Sequence, residues 1–469
     1  MNTILLEPTD VLFFRDGRPM GGASSGHGAA WPLPSVINHV FHAALHRAGA
    51  VFSDVHAHRH VRMLDGHFAS ERDRKFGSLV TAGPFPVRAQ DPHGEAIEPR
   101  WYFPRPFDAG DRAAVVLRAP AQPAGVSSLP APCCYPVVSN QPPSKDSPKP
   151  WWSREQWEAY LDEREGWKPA ENDCASDGDF GDTEHAYGIE ISPDSGSVVE
   201  SRFYSAHYLR LRPSWRLGCF AAALDKGVAG ASGDRNDLVK VLLNGRGCEI
   251  IAGGQQRVCT ARLIEVSGAV PLPLPRGRSQ GFTRADGKSL VKWVLLTPAV
   301  FPEIPPGISK RGTERQAHPG GWLPTWICPE SGNVLLETVD AQERMRRRGL
   351  NAAGKGYDSN PNLPAKLVAA VVGKGIPVTG YALPHKEADR ENGGAKPTHL
   401  AVPAGSVYYF ECPDEPAAKK LAAALNWHGN GIENPNSKIQ NRRSTLLGEQ
   451  GFGLGVCGTW DFHKGKNSI

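Results

Sequence analysis

Apolar positions along the chain keep two rhythms. Residues 4–14 are crowded with aliphatic and aromatic side chains and predict a strand that runs into a Gly/Ser loop. The rhythm then turns helical. Val36, Ile37, Val40, Phe41, Ala44 and Leu45 share one face of a helix over 35–48, with Ser35 placed as its N-cap. Strands are predicted near 79–87 and 203–211, a helix near 234–243, and a closing strand near 256–265. Beyond residue 289 the same succession returns. Strands are predicted over 292–300, 366–378 and 399–411. A helix follows over 415–426, with Pro416 in its first turn and Leu421 and Leu425 on one face, and then a strand over 453–462. The first helix of this second half is placed at 339–348. The twice-repeated order strand–helix–strand–strand–helix–strand is the ferredoxin-like pattern. It predicts an α+β protein of tandem ferredoxin-like (RRM-like) domains, 1–288 and 289–469, with long insertions. The antiparallel sheet of such a domain leaves one face able to receive RNA.

Residue-level echoes support the duplication. Leu5-Leu6-Glu7-Pro8 returns as Leu295-Leu296-Thr297-Pro298. Gly21-Gly22 with Trp31-Pro32-Leu33-Pro34 is matched by Gly320-Gly321-Trp322-Leu323-Pro324. Near the two closing strands, Leu242-Leu243 and Gly253-Gly254-Gln255-Gln256-Arg257-Val258-Cys259-Thr260 correspond to Leu446-Leu447 and Gly451-Phe452-Gly453-Leu454-Gly455-Val456-Cys457-Gly458-Thr459. Three cues in one order point to two copies of one unit.

Composition adds limits. The 469 residues include 51 Gly and 41 Pro, which predicts many turns and long loops. No apolar run is long enough to span a membrane. The opening Met1-Asn2-Thr3-Ile4-Leu5-Leu6-Glu7-Pro8 does not read as a secretory signal. Nine scattered cysteines without a C-x-x-C pair argue against a disulfide framework and a zinc knuckle, so a reducing cytoplasm is the expected location.

The net charge of +4 hides a division. Residues 145–200 hold 15 acidic and 5 basic residues, a net of −10, so the rest of the chain carries +14. A body of that sign suits a polyanion. The acidic stretch, about 141–200, also carries Trp151, Trp152, Trp157 and Trp167, and Ser153-Arg154-Glu155-Gln156 opens a short helix as a capping box. It reads as an insertion with one short helix packed by its tryptophans; a protein-docking surface and a solvated excursion are the alternatives.

The motifs carry a resemblance. Leu6-Glu7-Pro8-Thr9-Asp10-Val11-Leu12-Phe13-Phe14-Arg15-Asp16-Gly17-Arg18-Pro19 resembles the opening signature of a RAMP subunit of CRISPR effectors: the Cas5-group subunit of the type III-B Cmr complex that binds the crRNA 5′ tag. The likeness extends through Leu295-Leu296-Thr297-Pro298-Ala299-Val300-Phe301 and Gly320-Gly321-Trp322-Leu323-Pro324. It also covers Val402-Pro403-Ala404-Gly405-Ser406-Val407-Tyr408-Tyr409-Phe410 and the closing Gly451-Phe452-Gly453-Leu454-Gly455. Where the family shows Gly-Gly-Glu-Arg, this chain reads Gly253-Gly254-Gln255-Gln256-Arg257; the acid is gone and Arg257 is kept. The resemblance implies a non-catalytic RNA-binding subunit for antiviral defence. It would hold the crRNA 5′ tag and bridge the large polymerase/cyclase-like subunit to the backbone RAMP filament subunit. No cofactor, metal or membrane is implied.

The residues expected to touch RNA are Arg15, Arg18, Gly21, Gly22, Ser24, Ser25 and His27 after the first strand, Gly253, Gly254, Gln255 and Arg257 before the strand at 256–265, Arg346 and Arg347 in the densest basic cluster, and Gly451 and Gly453 in the closing loop. Glycines permit close backbone approach, and free N–H groups, hydroxyls and guanidinium groups bind phosphate. Arg442-Arg443 is a smaller basic pair of the same kind. Two other readings use different residues. A RAMP endoribonuclease would draw on the stripe His39, His42 and His46 or on His56, His58 and His60. A protein-binding adaptor would use the Trp-rich insertion as its hook.

Overall fold

In a computed structural model of the protein, the structure describes residues 1–15, 25–26, 29, 31–48, 61–62, 68–69, 79–91, 93–109, 115–117, 129–139, 148–162, 169–223, 237–244, 247–265, 270–275, 281–284, 287–308, 314–315, 317–336, 363–382, 394–429 and 439–462. It is a mixed, sheet-rich protein with few helices and mainly antiparallel strands. Two compact units form. The first takes Met1–Trp101, Asp177–Val270 and Glu449–Gly451; the second takes Tyr102–Ser176, Pro271–Gly448 and Phe452–Ile469. Where a boundary is expected at 288, the chain changes units at 270, and the acidic stretch is shared between the two.

The first unit contains β1 (Asn2–Pro8), α1 (Pro34–Arg47), β2 (Val80–Gln90), the start of β3 (Ala96–Pro104), β4 (Gly181–Ile191), β5 (Val198–Leu211), β6 (Trp215–Ala222), α2 (Leu238–Leu243), β7 (Cys248–Ile251) and β8 (Val258–Ile264). Its main sheet has the order β3-β2-β6-β1-β8-β7, with every neighbouring pair antiparallel. Register puts Ile4 opposite Cys219 and Leu263, and Leu6 opposite Leu217 and Ala261. Ile4, Leu6, Leu217 and Cys219 therefore share a face, which packs with Ile37, Val40, Phe41 and Leu45 of α1 and Leu238 and Val239 of α2. Full burial of each large side chain contributes about 1.5–3 kcal/mol. The expected face of α1 is the buried one, but the helix opens at Pro34, so Ser35 lies inside it rather than capping it. Proline fits there because a first-turn N–H has no partner within the helix. Asp237 caps α2 through Val239 N at 3.0 Å and receives the Asn2 side-chain amide at 2.7 Å.

One expected strand sits elsewhere. Residues 203–211 belong to the longer β5, which pairs with β4 in a separate sheet beside the short strand Ser25–Gly26. The place in the main sheet goes to β6, whose alternation is interrupted by Gly218. A Cβ at Gly218 would lie 2.5 Å from the Trp101 ring and 2.3 Å from Val87. Glycine lets Trp101 lie across the strand and stack on Phe220, ring centroids 4.9 Å apart.

The second unit contains β9 (Ser289–Leu295), β10 (Lys366–Val371), β11 (Val407–Cys412), α3 (Glu415–Leu425) and β12 (Gly455–Thr459), with the antiparallel order β10-β11-β9-β12. Asp414 caps α3 by accepting from Ala417 N at 2.8 Å, with Pro416 in the first turn. One sheet face, with Val291, Trp293, Tyr408 and Phe410, packs on Ala418, Leu421 and Leu425 of α3. The expected helix at 339–348 lies outside the described residues.

The other face of this sheet is not open. It is covered by residues 151–161 of the Trp-bearing segment, where a short helix packed by its tryptophans is what forms; for these residues the docking-surface and solvated-excursion readings are corrected. The strand Trp151–Ser153 pairs with the end of β3, and the helix Arg154–Leu161 follows, its cap Ser153 accepting from Gln156 N at 3.2 Å as the capping box predicts. Trp152, Trp157 and Leu161 are fully buried and Trp151 nearly so. A Cβ on Gly458 of β12 would lie 3.2 Å from Leu161 Cδ2, and Lys292 Nζ of β9 stands 3.9 Å from the Tyr160 ring centroid. Trp167 lies outside the described residues. Among the described residues no helix is long and apolar enough to cross a membrane.

Candidate nucleic-acid interface

Two of the expected RNA-contacting segments meet in the first unit. Past β1, the chain stays extended. Leu12 exchanges hydrogen bonds with Leu209 of β5 at 2.8 and 2.9 Å, and the Phe14 carbonyl accepts from Ala29 N at 2.7 Å. On the other side lies the turn at 252–257, closed by Ala252 N donating to Arg257 O at 2.8 Å. Gly254 N donates to the Phe13 carbonyl at 2.8 Å, which joins the turn to the extended segment that follows β1. The approach requires glycine. A Cβ at Gly253 would lie 2.5 Å from Phe13 O, and one at Gly254 would lie 2.7 Å from the Phe13 ring. The next two residues, Gln255 and Gln256, both take left-handed backbone, φ +55° and +52°. Non-glycine residues held in that region cost about 1–2 kcal/mol each, and such strain concentrates at functional sites.

The side chains around this turn form one cluster. The Tyr208 hydroxyl donates to Gln255 Oε1 at 2.6 Å, and the Arg257 guanidinium lies over the Tyr208 ring, 4.9 Å from its centroid. Phe13 packs against the same ring at 5.5 Å. Asp10 sits between two arginines, 3.0 Å from Arg210 Nη2 and 3.5 Å from Arg257 Nη1. Its carboxyl is held below the usual range by the Val11 backbone N–H and then by Arg210. Arg210 also pairs with Glu184, and the two carboxylates hold its proton more tightly than usual. Arg15 is exposed at the rim. Two guanidinium groups and two carboxylates thus form one ion-pair chain beside a glycine turn, and Arg15 is exposed two residues beyond Phe13, which the turn contacts.

Ser25 has its backbone paired beside Ser205 of β5, so the far end of the Gly/Ser loop returns to the same hairpin. Arg18, Gly21, Gly22, Ser24, His27, Arg346 and Arg347 lie outside the described residues, as do His56, His58 and His60. Gly451 and Gly453 are not brought to this cluster, and both are buried. Gly453 N donates to Pro298 O at 2.7 Å, and a Cβ there would come within 2.0 Å of Ser444 N. Gly455 lies against the Trp293 indole in the same way. This closing loop answers a packing need. Arg442 and Arg443 are buried rather than presented as a charged surface; Arg443 Nε donates to Ala424 O at the end of α3 and its Nη2 to Asn441 Oδ1 at 2.8 Å. A cation suits a helix C-terminus. The repeated Gly320-Gly321 turn is held by buried His318. Gly320 N donates to its Nδ1 at 2.9 Å, so Nε2 carries the proton and donates to Ile327 O at 2.9 Å.

Sequence reasoning missed Tyr208, Arg210 and the role of Asp10. The alternation Tyr208-Leu209-Arg210 was the available signal, since residues two apart on a strand share a face. His39 is exposed and His42 half-buried on α1. Among the described residues no group of three or more His, Cys, Asp or Glu could hold a metal ion.

Comparison with known proteins gives a family. The family model described as CRISPR-associated protein (Cas_Cmr3) matches residues 4–460. No curated protein matches the chain. Among solved structures, the chain is similar to one in the cryo-EM structure of the Type III-B Cmr-beta bound to cognate target RNA and AMPPnP, state 1, and to one in the cryo-EM structure of the Type III-B Cmr-beta bound to cognate target RNA. Each match has 12% identity, covers 87% of this chain and 86% of the other, and has a TM-score of 0.37.

Proposed function

Because the chain belongs to the Cas_Cmr3 family of CRISPR-associated proteins, we propose that it is the RNA-holding subunit of a type III-B Cmr effector complex. In this reading it grips the 5′ tag of the guide RNA and bridges the large polymerase/cyclase-like subunit to the backbone filament. Its work is positioning, not cutting: with the guide's 5′ end fixed, pairing beyond the tag starts in one register. Each unit is ferredoxin-like. What supports that reading is the strand order, in which the second, third, first and fourth strands of the repeat lie side by side in both units.

The observation that carries the proposal is the bond from Gly254 N to Phe13 O, which joins the segment that carries Arg15 to the turn that carries Arg257. Backbone amides, a stacked guanidinium and an exposed arginine suit a sugar–phosphate backbone. The test places 4-thiouridine in the 5′ tag of the guide and irradiates the assembled complex. Crosslinks to peptides around residues 10–15 or 253–257 are expected. In a double variant, Arg15→Ala with Arg257→Ala, guide affinity should fall and the slope of log K against log salt should shrink by about 2. Tag crosslinks confined to other subunits overturn the proposal. Cleavage of repeat RNA by the pure chain, lost on His39→Ala with His42→Ala, makes it an endoribonuclease instead.

A further inference from the structure

A carboxylate of the chain itself sits in the anion site beside the glycine turn. Asp10 is exposed, in the extended segment that follows β1. Its carboxylate accepts from the Val11 backbone N–H and meets Arg210 Nη2 of β5 at 3.0 Å and Arg257 Nη1 of the turn at 3.5 Å. One backbone amide and two guanidinium groups around an exposed point are the donors that hold phosphate oxygens.

The two arginines are engaged differently. Arg210 has a second carboxylate, Glu184. Arg257 is fixed mainly by stacking, its guanidinium 4.9 Å from the centroid of the Tyr208 ring. Its polar contacts, with Asp10 and with Gln255 Oε1, are both 3.5 Å long, and its buried Nε has no partner. Full-strength N–H···O bonds run about 2.7–3.2 Å. Arg257 is thus placed with donors still to give. The Tyr208 hydroxyl donates to Gln255, so ring, turn and cation form one fixture.

The charges of Asp10 and Glu184 cancel those of Arg210 and Arg257. A phosphate that approaches Arg257 therefore meets a carboxylate already beside it, and like charges brought together are a device against wrong partners. An ion pair as exposed as this one adds little to stability. Its larger effect is on what can approach.

We propose that Asp10 is a specificity-determining residue that stands in for an RNA phosphate at Arg210 and Arg257, and that it keeps off RNA not anchored by further contacts. The ligand class is the phosphodiester of single-stranded RNA. The inference rests on the reading that RNA meets this turn, but not on the RNA being the guide's 5′ tag.

The test compares Asp10→Asn with the parent in the full chain. The amide keeps the shape and an oxygen for the Val11 N–H, and removes the charge. The control, Asp182→Asn, removes an equal charge from the same hairpin, where Asp182 pairs with Arg212 at 3.2 Å rather than with Arg210 or Arg257. The probe is single-stranded RNA without the tag, in gel shifts across a salt series. Asp10→Asn should bind it about tenfold tighter, with the slope of log K against log salt steeper by about 1, at an unchanged melting temperature. Asp182→Asn should change the affinity less than twofold, and Asp10→Asn should gain nothing in a background of Arg210→Ala with Arg257→Ala. No gain from Asp10→Asn (including no binding by either chain), an equal gain from Asp182→Asn, or a gain that survives loss of both arginines overturns the inference. A tagged guide separates this from the earlier reading: tagged and untagged RNA bound alike by the parent defeats tag holding and leaves the gain at Asp10 standing.

Discussion

Lys292 Nζ stands 3.9 Å from Asp108 Oδ2, and both side chains are buried within the second unit. The same carboxylate accepts from the Tyr160 hydroxyl at 2.6 Å and from the Tyr409 hydroxyl at 2.9 Å. One anion thus joins the covering segment to two strands of the sheet beneath it. Asp108→Ala removes all three partners and leaves a buried ammonium, so a loss of about 3–5 kcal/mol is expected. Lys292→Met should cost less, because two hydroxyl donors still face the carboxylate. Asp108→Asn with Lys292→Met should recover part of the single-variant losses. Denaturant titration followed by tryptophan fluorescence reads all of these, since Trp152 and Trp157 lie in the cover.

Gly253 and Gly287 have nearly the same backbone, φ +82° and +81°, but opposite surroundings. A Cβ at 287 meets nothing within 4 Å, whereas one at 253 meets Phe13 O at 2.5 Å. Gly287→Ala should therefore cost about 1 kcal/mol, from backbone strain alone. Gly253→Ala adds a clash with the Phe13 carbonyl and the Phe14 ring and should cost roughly twice as much or more. It should also weaken guide binding, while Gly287→Ala does not. Thermal melts and a gel shift on the two purified variants separate the effects.

Tyr208→Phe keeps the ring under Arg257 and removes only the bond to Gln255 Oε1. The expected cost is about 0.5–1.5 kcal/mol. Arg257→Lys keeps the charge but loses the planar stack and the fork toward Asp10. If the turn reads the guide through geometry, Arg257→Lys should weaken tag crosslinking nearly as much as Arg257→Ala. If the guide meets charge alone, lysine should restore it.

His428 is buried, and burial pulls its pKa down to about 4. The unfolded chain, with an ordinary imidazole near pH 6.5, binds that proton more readily. Stability therefore rises with pH between about 4 and 6.5 and is lost as the solution is acidified through that window. The contribution reaches about 3 kcal/mol at most. His318, also lowered by burial, acts in the same direction. Unfolding midpoints at pH 7.5 and 4.5 should differ less in His428→Leu than in the parent chain.

What the sequence showed was local. The buried face of α1, the cap at Ser153, Pro416 in the first turn of α3 and the twofold order of elements all follow from short periods and cap residues. β6 escaped because Gly218 breaks its alternation, and that glycine is needed by Trp101, more than a hundred residues earlier in the chain. That tryptophans pack the short helix was legible, but the surface that Trp152 and Trp157 lie on was not, because their partners are distant strands rather than helical neighbours. At the candidate interface, the glycines announced a close approach, and Gly253 and Gly254 make one. Asp10 and Arg210 lie 200 residues apart, and no spacing rule joins them.

The division of the chain between its units has a consequence for synthesis. Tyr102–Ser176 leaves the ribosome well before β9, the first strand of the sheet it will cover. Until then Trp152 and Trp157 have no surface to lie on, and the nascent chain carries them as exposed, adhesive side chains that call for a chaperone. A gene fragment ending at residue 288 would make that interval permanent, and insolubility of that fragment, against solubility of the whole chain, is what an expression trial should find.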